Sequence, residues 1–467
     1  MKLIAIRLVE FGPALLSLMF ILAGDFQIAQ CEDASVREES KGDADRGWKW
    51  LNTKPYLPSD LDDEVFADLW TVWPGKDRNA VAQATPAKRR AAIFKRYGLT
   101  AHPTTGTKEL PLGYLRNKAG GWVMNCLACH AGEVAGQVIP GLGNSRFALH
   151  SLTEDVRKVK LKQFKAPAHM DVASMKMPLG TTHGTTNAVA FGVILGGLRD
   201  LHMNVYRPKK KPREVHHDMD APPYWNVKYK TSLYIDGFAP KNHRVLMQFM
   251  LLPSNSAQTL REWEPDFRDV LAWIESRQAP KYPFEIDQAK ADQGRVVFEK
   301  SCSRCHGTYG KGVKYQQKMI DIDEVGTDPV RLQAIGSDHR KWMRDSWMSR
   351  YGKEKVDVDP KGYVAPPLRG IWASAPYFHN GSVPTLWHVL HSAQRPKLWR
   401  REDNYDKKKV GIEYSEFEKL PKSAATPYEK RRYFDTAQFG KSAAGHEFPN
   451  ELSDSEKMLV LEYLKTL

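Results

Sequence analysis

Two pentapeptides restrict this chain more than any other feature: Cys126-Leu-Ala-Cys129-His130 and Cys302-Ser-Arg-Cys305-His306. Cys-x-x-Cys by itself serves zinc sites, thioredoxin-like redox centres and covalent haem attachment. The histidine after each pair narrows the choice. Thiol–disulfide exchange has no need of it, and zinc would require the two distant motifs to share one site. Haem attachment uses all three residues, because two thiols bond to the vinyl-derived carbons of the porphyrin and the adjacent histidine is set beneath the iron. The spacing therefore predicts two c-type haems, one on Cys126, Cys129 and His130 and one on Cys302, Cys305 and His306, with His130 and His306 as iron ligands. Zinc held between the motifs is the alternative. Four of the five cysteines are used in this way, which leaves none for a structural disulfide framework.

The fifth, Cys31, ends a segment with export character. Lys2 and Arg7 precede an apolar run over residues 15–23 that is too short for the roughly 20 residues of a membrane span. Residues 1–31 read as a signal peptide, with a retained anchor or a lipidated Cys31 as alternatives. Export fits the chemistry, since c-type haem is attached outside the cytoplasm, and it points to a periplasmic or extracellular protein. Membrane contact follows only if that segment is retained or lipidated. The formal charge of +14 is untouched by its removal, because Lys2 and Arg7 balance Glu10 and Asp25. A basic exported redox protein suits a small acidic redox protein as electron donor. No dense basic block with interleaved aromatics suggests nucleic acid.

Residues 32–46 are charged and poor in apolar side chains and are expected to be a disordered lead-in. Beyond them the pattern predicts a mainly α chain with long loops, built as two cytochrome c-like helical domains over 47–280 and 281–467, each carrying one covalently bound haem. The boundary falls in the RQAPKY stretch, residues 277–282. Upstream, Trp263, Phe267, Val270, Leu271 and Ile274 recur at helical spacing. Downstream, Asp287 caps a helix with Ala291, Gly294, Val297 and Phe298 inward that runs into the second motif. At the end of the chain Ser453 and Glu456 form a capping box before an apolar helical face.

Residues 363–390, YVAPPLRGIWASAPYFHNGSVPTLWHVL, resemble the di-haem cytochrome c peroxidase superfamily, where a P-x-L-R stretch precedes a P-Y-F-H-[DN]-G-S-V-x-T-L block. The phrases GLGN (141–144), APPYW (221–225), YIDGF (234–238) and GHEFPNELSDSEKMLVLEYLKTL (445–467) are most similar to its rubber-oxygenase-like branch. The resemblance implies a division of labour: the first haem reacts and the second delivers or stores electrons. A peroxidase-type methionine ligand would fall at Ala393, which cannot bind iron. The rubber-oxygenase-like branch uses a histidine near the C-terminus, which makes His446 the expected sixth ligand of the second haem. It also implies that His379 shapes the second-haem pocket and that Trp225 and Tyr224 lie between the haems or on the distal side of the first.

Arg369 is a candidate partner for a haem propionate. Opposite His130 the sequence offers His150, His169, His183, Met170, Met175 and Met177, none in a pattern that singles it out, so an open face is expected there and the catalytic group is left unassigned. Glu133 is the nearest carboxylate in sequence for proton transfer. The expected function is an exported di-haem oxidoreductase activating hydrogen peroxide or dioxygen at the N-terminal haem, with the C-terminal haem in electron transfer. The alternatives are a non-catalytic electron-transfer cytochrome and a rubber-oxygenase-like dioxygenase of an apolar polyene.

Overall fold

Helices with strong local start signals supply most of the regular structure. The helix Ala257–Ser276 begins at Ser256, whose side chain accepts the Thr259 amide, and buries Leu260, Phe267, Val270, Trp273 and Ile274 at helical spacing. Gln288–Ser301 is capped by Asp287 through the Lys290 amide, and Asp454–Leu464 carries the reciprocal Ser453–Glu456 box. The structure, a computed structural model, describes residues 41–207, 215–310, 312 and 314–467. The expected signal peptide, 1–31, lies outside the described residues. Six small antiparallel sheets accompany the helices among the described residues, five of two strands and one of three.

The lead-in expected to be disordered over 32–46 is ordered in the part described. Asp43 caps the helix Ala44–Thr53, which packs on Ala257–Ser276. The cause is a carboxylate within the apolar pattern of the longer helix: buried Asp269 accepts from the Asp43 amide, the Arg46 guanidinium and the Trp50 indole. Its neighbour Asp266 takes Lys54 and the Tyr56 hydroxyl. The backbones also approach closely, since a Cβ on Gly47 would lie 2.1 Å from the Asp269 carbonyl oxygen.

The stretch 277–282 does separate two helices, yet it is packed. The Pro280 carbonyl accepts the Trp372 indole N–H at 2.9 Å, Tyr282 is buried, and Lys41–Leu467 form one compact unit. One core cluster runs from Leu142, Val134 and Ile139, near the first motif, through Trp225 and Trp372 to Cys302, Phe378 and Leu464 near the second. Among the described residues no helix is long and apolar enough to cross a membrane.

In the C-terminal part the helix entering the second motif crosses the terminal helix at a glycine. A Cβ on Gly294 would stand 1.9 Å from the Leu459 carbonyl oxygen and 3.1 Å from the Tyr463 Cβ. Gly294→Ala must therefore push the crossing apart, and the expected loss is about 1–3 kcal/mol, the usual cost of overpacking. Denaturant unfolding of variant and parent, followed by helical circular dichroism, measures it.

Candidate functional site

Each motif sits in a single helical turn, Leu127–His130 and Ser303–His306. Such a turn puts both thiols and the histidine on neighbouring positions around one spot. All four cysteines are free and half-buried. Burial pushes the Cys126 and Cys302 thiols up to about 11 and Cys129 up to about 12, so they are neutral thiols.

The two histidines are oriented in the same way. His130 Nδ1 donates to the Pro222 carbonyl at 3.1 Å and His306 Nδ1 to the Pro366 carbonyl at 2.9 Å. Both prolines belong to an Ala-Pro-Pro tripeptide, 221–223 and 365–367. A hydrogen bond on Nδ1–H fixes the tautomer and leaves Nε2 as the lone-pair donor, which is how iron-binding histidines are prepared. Burial lowers both pKa values, His130 to about 4, so both rings are neutral. Each lies deep in the fold, yet neither is fully covered by neighbouring side chains.

Each Ala-Pro-Pro loop is tied to its motif a second time, two residues beyond the accepting proline. At the first, the Gly141 amide donates to the His130 carbonyl and the Tyr224 amide to the Gly141 carbonyl, both at 2.7 Å. At the second, the Tyr309 hydroxyl donates to the His306 carbonyl and accepts the Leu368 amide. The GLGN phrase is thus a clamp: Asn144 N–H binds the Cys129 carbonyl at 2.7 Å, and a Cβ on Gly143 would meet the Ala221 carbonyl oxygen at 1.9 Å.

The loops meet each other at equivalent positions. The indole N–H of Trp225, a fully buried residue, donates to the Arg369 carbonyl at 2.7 Å. Gly370, at φ +62°, leaves room for it, since a Cβ would come within 2.9 Å of Trp225 Nε1. Tyr224 stacks on the His130 ring with centroids 4.1 Å apart. The Arg369 guanidinium lies over the rings of Tyr229 and Tyr309, beside the second motif.

The spaces facing the two histidines differ. The His446 ring lies 6.1 Å from that of His306, centroid to centroid. Two imidazoles bound to opposite sides of one metal atom need about 6 Å, given metal–nitrogen bonds of about 2 Å. His446 is deep, neutral, and has a buried Nδ1 with no partner outside its own residue. Of the candidates for the face opposite His130, three have hydrogen-bond partners elsewhere, His150, His183 and Met177. His150 accepts the Leu179 amide and faces Glu154; His169 lies 3.2 Å from Asp60; His183 meets the Ser151 hydroxyl. Met170 packs in the N-terminal core, Met175 is exposed, and the Met177 sulfur accepts from Asn187.

His379 packs its ring on Tyr363 at 4.7 Å, and its carbonyl accepts the Asp220 amide. The neighbouring Phe378 ring is the one that meets His446. Glu133 is exposed on a strand. Two deep carboxyls lie beside the elements that hold the first motif. Asp220, two residues before Pro222, is held by burial well above the usual carboxylate range against the pull of Arg401. Asp60, which shares Tyr114 with Cys129, is pushed up to about 8 by burial. Arg401 is deep as well, is pushed down to about 9 by burial, and donates to the Ser145 carbonyl and hydroxyl. Asp220 and Arg401 carry no motif of their own. The second Ala-Pro-Pro is the one local signal that could have drawn attention to both proline carbonyls.

These features fit covalent haem: free thiols in pairs, a neutral histidine with its lone pair directed inward, and at the second motif an opposed histidine. Among the described residues no three His, Cys, Asp or Glu side chains converge as a bare metal ion requires, so the zinc alternative lacks a ligand set there.

The RoxA-like, cytochrome c-like family matches residues 362–400, which include the second Ala-Pro-Pro loop, Phe378 and His379. Two uncharacterised proteins of Sinorhizobium fredii (strain NBRC 101917 / NGR234) are similar to parts of the chain. One, y4iM, is 32% identical over 163 residues, 30% of this chain and 38% of its own length. The other, y4iJ, is 29% identical over 255 residues, 40% of this chain and 41% of its own length. The chain thus spans about two fifths of the relatives it matches. A cytochrome c-like segment implies a c-type haem and a haem-dependent redox or electron-transfer role.

Replacing both cysteines of one motif, Cys126→Ser with Cys129→Ser or Cys302→Ser with Cys305→Ser, should remove one covalent haem and leave the other. Intact mass and the haem-to-protein ratio, after expression in a host that matures c-type haem, check this.

Proposed function

We propose that the chain is an exported di-haem c-type oxidoreductase in which the site at Cys126, Cys129 and His130 activates hydrogen peroxide or dioxygen, while the site at Cys302, Cys305 and His306 passes or stores electrons. The observation that carries this reading is the contrast between a motif histidine faced by His446 at 6.1 Å and one, His130, whose ring neighbour is Tyr224 and whose candidate ligands His150, His183 and Met177 are hydrogen-bonded elsewhere. A haem iron with two strong axial ligands exchanges electrons, and one with an open position also binds and reduces small oxidants.

This chain's residues prepare both tasks. Pro222 and Pro366 orient the motif histidines, and His446 closes the second site. Trp225, bonded to the Arg369 carbonyl, lies in the apolar cluster shared by the two sites, where water is excluded and electron transfer meets little reorganisation. The Arg369 guanidinium, without an ion pair among the described residues, is the group for a propionate at the second site. Asp220, protonated and deep, replaces Glu133 as the proton-holding group of the first site, with Arg401 beside it. The basic surface, +14 overall, favours an acidic donor protein.

The match to the RoxA-like, cytochrome c-like family supports dioxygen and an apolar polyene as a second reading of the same open site. Turnover with peroxide, compared with cleavage of a polyene under dioxygen, tells the two apart.

In the isolated protein one haem should give a high-spin or readily exchangeable EPR signal that responds to peroxide, while the other stays low-spin. His446→Ala should convert the low-spin signal alone. Two low-spin haems indifferent to reduction and peroxide would overturn the assignment. Asp220→Asn should keep both haem spectra and lower turnover by about 100-fold or more, the scale of a lost general acid. Because the protonated form is the one held ready, wild-type turnover should fall as pH rises through the elevated pKa of Asp220, and the variant's profile should be flat there.

A further inference from the structure

The ring of His446 is anchored less directly than that of His306. His306 has the Pro366 carbonyl on its Nδ1. His446 Nδ1 has no such acceptor, and its ring is held through edge contacts with Phe378 and Phe448, at 6.1 and 5.6 Å. Its position must come from the backbone. His446 itself stands in the left-handed region at φ +50°, its amide donates to the Val325 carbonyl at 2.6 Å, and Gly445 is pressed against Gly326 so closely that a Cβ would lie 2.2 Å from the Gly326 carbonyl carbon.

One side chain holds this loop from the other side. Arg395 Nη1 donates to the carbonyls of Ala443 and Gly445, both at 2.7 Å. Its Nε donates to the His388 carbonyl at 2.9 Å, and Nη2 reaches those of Val389 and His446 at 3.4 and 3.5 Å. His388 and Val389 belong to the helix Leu386–Leu390, so the guanidinium ties the ligand loop to the carbonyl end of that helix. The same group lies 4.9 Å over the Phe378 ring, the ring that abuts His446. Arg395 makes no ion pair among the described residues. A partly buried guanidinium spent on backbone carbonyls of two segments is a brace.

We propose that Arg395 is the positioning residue for His446: its fork on the Ala443, Gly445 and His388 carbonyls takes the place of the missing Nδ1 hydrogen bond and keeps the imidazole facing His306. The proposal rests on His446 being the sixth ligand of the second haem. A lysine carries the same charge but one point of donation, so Arg395→Lys separates charge from brace.

The test uses full-length protein matured with haem. Arg395→Lys should convert part of the second haem's low-spin EPR signal to high-spin and make that haem bind cyanide or carbon monoxide about 10- to 100-fold more readily, the range seen when a supporting partner of a metal ligand is lost. Added imidazole should restore the low-spin signal. Gly445→Ala, which displaces the same loop by steric pressure at a φ of +78°, should give the same spectrum with Arg395 intact, and it serves if the arginine variant does not fold. An unchanged spin state and ligand affinity in Arg395→Lys, with only a lower melting temperature, would overturn the proposal. A wild-type protein whose low-spin signal survives His446→Ala would overturn the ligand assignment and this proposal with it.

Discussion

Everything around the two motifs is arranged to keep one hydrogen bond in each: motif histidine Nδ1–H to proline carbonyl. A covalently tethered porphyrin fixes where the iron lies, but a free imidazole ring can rotate and can present either nitrogen. The carbonyls of Pro222 and Pro366 remove that freedom. Proline suits the position because it has no N–H to compete for local partners and its fixed φ stiffens the loop. The loops are then fastened again two residues on, through Gly141 at the first motif and the Tyr309 hydroxyl at the second.

Because both motifs are built on the same loop, the contact between the loops has a definite meaning. Trp225 and Arg369 occupy matching places after their prolines, and the indole of one donates to the carbonyl of the other. The histidines are thus connected by a short run of backbone and one buried aromatic, inside a core cluster common to both sites. Shared burial also accounts for the packed stretch near residue 280: segments on either side of it that bury one cluster cannot be separated by a flexible linker without exposing it.

What is legible in the sequence is what short spacing determines. The thiol–histidine motifs, the Asp287 cap and the Ser453–Glu456 box involve residues within four positions of each other, and the helices they open are present. Contacts made by backbone atoms or by distant side chains are illegible, since no residue type announces a carbonyl acceptor. Asp269 illustrates the limit: on a helical wheel it interrupts an apolar face, and only the fold supplies Arg46, Trp50 and the Asp43 amide that make its burial favourable. The ordering of residues 43–46 follows from that carboxylate. Asp220 is similar, unremarkable in sequence and deep in the fold.

The two sites share a scaffold and differ in what closes them, and that difference is charge as much as geometry. At the second, neutral His446 lies among aromatic rings and a guanidinium occupied with carbonyls. The carboxylate nearest in sequence, Glu447, faces the Arg395 guanidinium, and the role proposed for this centre is to gain and lose electrons. At the first, a protonated Asp220 and a cationic Arg401 lie deep on the side where the Ala-Pro-Pro loop begins. Reduction of a small oxidant consumes protons along with electrons. Under the proposed function, an acid in reserve and an arginine near developing negative charge would serve that chemistry at the first site, and a neighbour closed by a second imidazole would feed it.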